Sequence, residues 1–144
     1  MSLTLVQNPE KQDYKNFSDQ SSELFMAAQR EFNVQNYMRA RDYLEQLSRI
    51  ETGLGKTFIE ALILLTGHFI FIQNRNWTQA KASIDQAYTQ IQLSAKGSRY
   101  RTIDLEPILH ALSYNLEILD HHTNELITEL YEKDFLYPLI HDLF

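Results

Sequence analysis

Cysteine is missing from this chain of 144 residues. Its absence excludes disulfides, thiolate catalysis and cysteine-ligated zinc or iron–sulfur centres. Glycine and proline are scarce, at 4 and 3, so few points break a helix and long helices joined by short turns are expected. Positive charge is in the minority: 13 Lys and Arg stand against 19 Asp and Glu, a net −6. That balance argues against bulk electrostatic attachment to nucleic acid or to an anionic membrane, both of which want a basic face. No apolar run reaches the roughly 20 residues that a membrane-crossing helix needs. The longest, Phe58 to Ile72 (FIEALILLTGHFIFI), is interrupted by Glu60 and His68 and reads as a buried core helix. The opening residues, MSLTLVQNPEKQDYKNFS, have no basic start followed by a long apolar stretch, so no secretory signal is expected. Together with the lack of cysteine this sets a cytoplasmic location as the expectation.

What is present is a folded composition, with 44% hydrophobic and 22% charged residues. Three parts are distinguished: a polar extension over residues 1–17, a helical domain over 18–133, and an apolar tail over 134–144. At about 100° per residue, Leu24, Phe25, Ala28 and Phe32 share one stripe of a first helix. A second helix, about 36–51, places Ala40, Tyr43, Leu44, Leu47 and Ile50 on one face, with Tyr37 at its edge. The turn FNVQN between them is short, so the two should pack antiparallel. TGLG at 52–55 reads as the next break, followed by a third helix over about 56–74 that is apolar nearly all round. NRN at 74–76 leads to a fourth helix with Trp77, Ala80, Ile84, Ala87, Tyr88 and Ile91 on one face, ended by Gly97. Asp104 reads as the N-cap of a fifth helix, with Pro107 in its first turn.

The two hairpins resemble each other. Asn36-Tyr37-x-x-Ala40-x-x-x-Leu44-x-x-Leu47 matches Asn76-Trp77-x-x-Ala80-x-x-x-Ile84-x-x-Ala87 at a spacing of 40 residues. An aromatic at the helix start and a small residue one turn later let paired helices approach closely, the logic of tetratricopeptide-like units. The expected fold is all-α: antiparallel helical hairpins in a tetratricopeptide-like array, or a bundle, of about five to six helices.

The stretch Phe32-Asn33-Val34-Gln35-Asn36-Tyr37 through Ala40-Arg41-Asp42, Leu44-Glu45 and Ser48 resembles the signature of the domain of unknown function 309 family. Phe58-Ile59-Glu60-Ala61-Leu62-Ile63 is similar to that family's next helix, Asn76-Trp77-Thr78-Gln79-Ala80 to its following turn, and Tyr100-Arg101-Thr102-Ile103-Asp104-Leu105 to the start of its last helix. The resemblance covers about residues 24–119 and implies an all-helical, tetratricopeptide-like domain, with metal-dependent hydrolysis as the suggested activity. The family's His and Glu are Arg41 and Asp42 here, its Trp is Ser48 and its Gln is Leu64. Arg41 offers no lone pair to a metal, so no catalytic metal is expected at this helix and no cofactor is assigned.

Arg41, Glu45 and Ser48 lie on one stripe of the second helix, where Arg41 and Glu45 are spaced as an i,i+4 surface pair. If the helices frame a groove, its candidate lining is Tyr37, Arg41, Glu45 and His68, although a histidine inside an apolar helix also reads as a hydrogen-bonded core residue. Glu106, His110, Glu117 and His121 form a second stripe, on the fifth helix, with ligand chemistry for a divalent ion. Its position opposite Ile108, Leu112, Leu116 and Leu119 turns it toward water. Lys96, Arg99 and Arg101 make a small basic loop. A short further helix is expected to end near Lys133, and Pro138 prevents a regular helix from running on through the tail. Phe135, Leu136, Tyr137, Leu139, Ile140, Leu143 and Phe144 make that tail apolar enough to require cover, from its own domain or from a partner. The functional expectation is a module that binds a protein or peptide; a small structural subunit that self-associates through its apolar tail is a further reading. Metal-dependent hydrolysis is the alternative.

Overall fold

The computed structural model describes residues 9–95, 97, 100, 102–121 and 131–142, with side chains from residue 20 onward except that of Glu132. The chain is all-α. Five helices follow one another: α1 (Pro9–Asn33), α2 (Tyr37–Ile50), α3 (Gly53–Gln73), α4 (Trp77–Ala95) and α5 (Glu106–His121). A 3-10 turn, Glu132–Asp134, leads into an extended C-terminal segment. Among the described residues the β structure amounts to one isolated bridge, Ile103 to Asp142. Each helix packs chiefly on its neighbours in sequence, α1 on α2, α2 on α3, α3 on α4 and α4 on α5. The basic loop at Lys96, Arg99 and Arg101, residues 124–130 of the expected further helix, and Leu143 and Phe144 lie outside the described residues.

The two hairpin turns share one geometry. Helix α1 ends with Gln35 N–H on the Phe32 carbonyl and Asn36 N–H on the Glu31 carbonyl, at 3.0 and 2.9 Å. Helix α3 ends with Arg75 N–H on Ile72 and Asn76 N–H on Phe71, at 2.9 and 2.8 Å. These paired bonds satisfy carbonyls that a helix C-terminus leaves open, and they require a left-handed residue between. That residue is Gln35, φ 64°, in one turn and Arg75, φ 56°, in the other. Neither is glycine, so each hairpin holds an ordinary side chain where glycine is favoured. After each turn come the aromatic residues Tyr37 and Trp77, both buried, and then Ala40 and Ala80, both fully enclosed. The close helix approach is thus built twice.

The break between α2 and α3 is tighter than TGLG suggests. Only Glu51 and Thr52 separate the helices, and Gly53 and Gly55 lie in the first turn of α3. Gly53 takes φ +61°, a left-handed backbone conformation that glycine adopts freely, and the chain reverses there. A Cβ on Gly55 would stand 2.8 Å from Oε2 of Glu51. The bare backbone makes room for that nearly buried carboxylate, whose Oε1 accepts the Tyr100 hydroxyl proton at 2.9 Å.

Helix α3 is the core. Its length and a mean hydropathy of 1.5 would suffice to cross a membrane, yet 61% of its most apolar stretch is buried within the protein. Phe58, Leu62, Leu65, Phe69 and Ile72 are fully enclosed between α2 and α4. Helix α5 starts with the Glu106 N–H on Oδ1 of Asp104, at 3.2 Å. It buries Ile108, Ala111, Leu112, Asn115 and Leu119, and Lys81 to Asp120 at 2.6 Å ties it to α4 at the surface.

Candidate functional site

A helix face patterned for burial should carry no asparagine at a core register. Ile108, Leu112 and Leu119 set the buried face of α5, and Asn115 occupies the slot between them, fully enclosed. A buried amide needs partners for two donors and one acceptor. Asn115 finds them in the C-terminal segment: its Oδ1 accepts the Leu136 N–H at 2.9 Å, and its Nδ2 donates to the Leu136 carbonyl at 3.2 Å. Its remaining N–H points to His68 Nε2, at 3.3 Å.

Asn33, in the last turn of α1, repeats this arrangement four residues further along. Its Oδ1 accepts the Ile140 N–H at 2.7 Å and its Nδ2 donates to the Ile140 carbonyl at 2.9 Å. Gln29, one turn earlier, donates to the same carbonyl at 2.8 Å. Each asparagine therefore does for one residue of the extended segment what a neighbouring β-strand would do. The segment runs antiparallel to α5: Leu136 lies against Asn115, and further on His141 accepts from the Asp104 N–H at 2.9 Å. Pro138, between the two clamped residues, is buried and has no N–H to satisfy.

Side chains of the segment enter an aromatic floor. Phe135 stacks on Trp77, with ring centroids 5.4 Å apart. Tyr137 lies over Tyr37 at 6.3 Å and against Phe69 at 5.6 Å. Ile140 is buried and Leu139 is turned outward. At the entrance, Tyr131 is flanked by Arg75 and Lys133, each placed over its ring.

His68 links this groove to the hairpin core. Its Nδ1 lies 2.8 Å from the Ala80 carbonyl, which can only accept, so Nδ1 carries the proton and Nε2 offers its lone pair to Asn115. Burial holds the imidazole well below its ordinary range, at about 4, against an opposing pull from the Ala80 hydrogen bond. Burial likewise pushes the Tyr37 phenol above its usual value, and the neighbouring Tyr137 adds to this.

Tyr37, Arg41, Glu45 and His68 do not line one groove. Tyr37 and His68 point inward, held by rings and hydrogen bonds around Phe69. Arg41 and Glu45 form a partly exposed pair at 3.9 Å on the outer side of α2. Ser48, next on that stripe, bonds the Glu45 carbonyl at 2.8 Å. It borders a separate open hollow of about 360 Å³ with Glu60, Ile63, Leu64, Gln86 and Gln90. On α5, Glu106, His110, Glu117 and His121 are all exposed, and His121 donates to the Glu117 carbonyl at 2.8 Å. Among the described residues no three His, Asp or Glu side chains converge as a ligand set. The residues that sequence reasoning passed over are Gln29, Asn33 and Asn115. Of these, only Asn115 carries a readable signal, a polar residue at a core register.

No protein-family model matches the chain, and no curated protein or solved structure is significantly similar to it.

Proposed function

We propose that the helical domain is a peptide-binding module, and that its C-terminal segment occupies the groove in which a partner's extended segment is held. The observation that carries this reading is the pair of asparagine clamps. Asn33 and Asn115 each bond both backbone groups of one residue. Such bonds recognise an extended main chain whatever its sequence, while pockets for alternate side chains supply selectivity. The repeated hairpins, read as tetratricopeptide-like units, provide the rigid frame. Membership of the domain of unknown function 309 family belongs to the same proposal; Phe32-Asn33, the pair that opens the resemblance, is where α1 meets the segment. The partner is a cytoplasmic protein or peptide that displays an extended apolar stretch. Metal-dependent hydrolysis is the weaker reading, because the signature-helix side chains Arg41 and Glu45 pair with each other at the surface.

The test uses the full chain with Phe135→Asp and Ile140→Asp, which disfavour the docked segment, after circular dichroism has confirmed retained helix. A labelled peptide with the wild-type sequence of residues 131–142 should bind it saturably. Binding should fall at least tenfold when Asn33→Leu and Asn115→Leu are added, since four backbone hydrogen bonds are then lost. A folded variant that leaves the peptide free in solution would end this reading.

A further inference from the structure

One polar group in the floor of the groove is left unanswered by the segment that fills it. Tyr37 is 1% exposed, and its buried hydroxyl has no hydrogen-bond partner among the described residues. A buried hydroxyl in that condition is costly, and its retention calls for an explanation. Phe32 packs edge-on against its ring and Phe69 stacks on it, both at 5.1 Å, so the ring is held in place from two sides. The tail residue facing it is Tyr137, whose ring lies nearly parallel at 6.3 Å and 24° and gives the hydroxyl no bond. At Leu136 and Ile140, by contrast, both backbone groups are matched. The mismatch therefore sits at one side-chain position of an otherwise fitted ligand.

We infer that the groove's partner is an extended peptide with the tail's frame, an aromatic at the position of Phe135, proline at Pro138 and an aliphatic residue at Ile140, but with glutamine in place of Tyr137, and that the tail is the placeholder this peptide displaces. This rests on the peptide-binding reading and names its ligand. The amide oxygen of glutamine accepts the Tyr37 O–H proton. A carboxylate is the poorer choice, because the rings of Phe32 and Phe69 do nothing to offset a buried charge. Displacement need not disturb the clamps, which hold backbone and are indifferent to the exchange at position 137.

The experiment compares two peptides, the wild-type sequence of residues 131–142 and the same peptide with Tyr137→Gln, on the Phe135→Asp, Ile140→Asp chain with and without Tyr37→Phe. The glutamine peptide should bind about fivefold more tightly, the size of one recovered neutral hydrogen bond. That advantage should vanish on the Tyr37→Phe chain, which keeps the ring and removes the hydroxyl. As a second measurement that needs no released tail, Tyr137→Gln in the otherwise wild-type chain should raise the melting temperature more than it does in a Tyr37→Phe background. Equal binding of the two peptides, or an advantage that survives Tyr37→Phe, overturns the inference while leaving the peptide-binding reading intact. Failure of both peptides to bind overturns the two together. Dimers of the wild-type chain in light scattering, abolished by Phe135→Asp and Ile140→Asp, would assign the groove to a second copy's tail and overturn the inference as well.

Discussion

His68 and Asn115 meet through a single hydrogen bond, with the histidine Nε2 as acceptor and the asparagine Nδ2 as donor, 3.3 Å apart. The direction of that bond requires a neutral imidazole, because the other ring nitrogen already donates to Ala80. Protonating His68 would turn the acceptor into a donor facing a donor and would disturb the amide that holds Leu136.

A pH dependence follows with a definite sign. The folded-state value of His68 is lowered from 6.5 to about 4, so the unfolded chain takes up the proton first as pH falls. The stability contributed by neutral His68 is complete above about 6.5 and is lost as pH drops toward 4. His68→Gln keeps one donor and one acceptor at every pH. Denaturant midpoints should show the wild-type chain losing stability relative to His68→Gln across this window. Parallel curves for the two chains would contradict the assignment.

The clamps should be felt one at a time. Asn115→Ala takes the side-chain partner from both backbone groups of Leu136, and Asn33→Ala takes it from the Ile140 N–H while Gln29 still holds the Ile140 carbonyl. Each should cost about 1–3 kcal/mol, with Asn115→Ala the larger. Limited proteolysis should then cut the C-terminal segment faster in both variants. Asn115→Asp should do more: its second oxygen would face the Leu136 carbonyl and would attract a proton onto His68, raising the histidine pKa, which NMR titration reads directly.

Much of the helical frame was legible because periodicity reports burial. Ala28 and Phe32, and then Ala40, Leu44 and Leu47, lie inside as their spacing indicates. The 40-residue repeat of Asn36 and Asn76 marks two turns of the same shape. The left-handed residues in those turns were not legible, since glutamine and arginine give no hint of a positive φ. The start of α3 was missed because its two glycines read as a break, whereas one permits a tight reversal and the other makes room for Glu51. The site was the least legible part. Asn33 and Asn115 act on backbone groups of Leu136 and Ile140, and a backbone group has no sequence signature.

The turns offer a stabilising change. Gln35→Gly relieves an ordinary residue of a left-handed conformation and should add about 0.5–1 kcal/mol, less than the full steric penalty because glycine gains freedom when unfolded. Arg75→Gly should gain less, since Arg75 also covers the Tyr131 ring at 5.1 Å. Urea denaturation of the two variants checks the order.

The close helix contacts should resist enlargement. Ala40 and Ala80 are each 0% exposed, and Ala40→Leu or Ala80→Leu should cost about 1–3 kcal/mol by overpacking. Ala80→Leu should also shift the His68 ring, because the carbonyl that anchors it belongs to Ala80. Thermal denaturation measures the first effect and the histidine ring resonances report the second.

The central claim is that Asn33 and Asn115 hold an extended main chain. The most direct measurement is NMR of the nitrogen-15-labelled Phe135→Asp, Ile140→Asp chain titrated with unlabelled peptide of residues 131–142. The side-chain amide resonances of both asparagines should shift together with a single affinity, and their protons should become protected from exchange. Peptide binding that leaves both amides where they were would contradict the account.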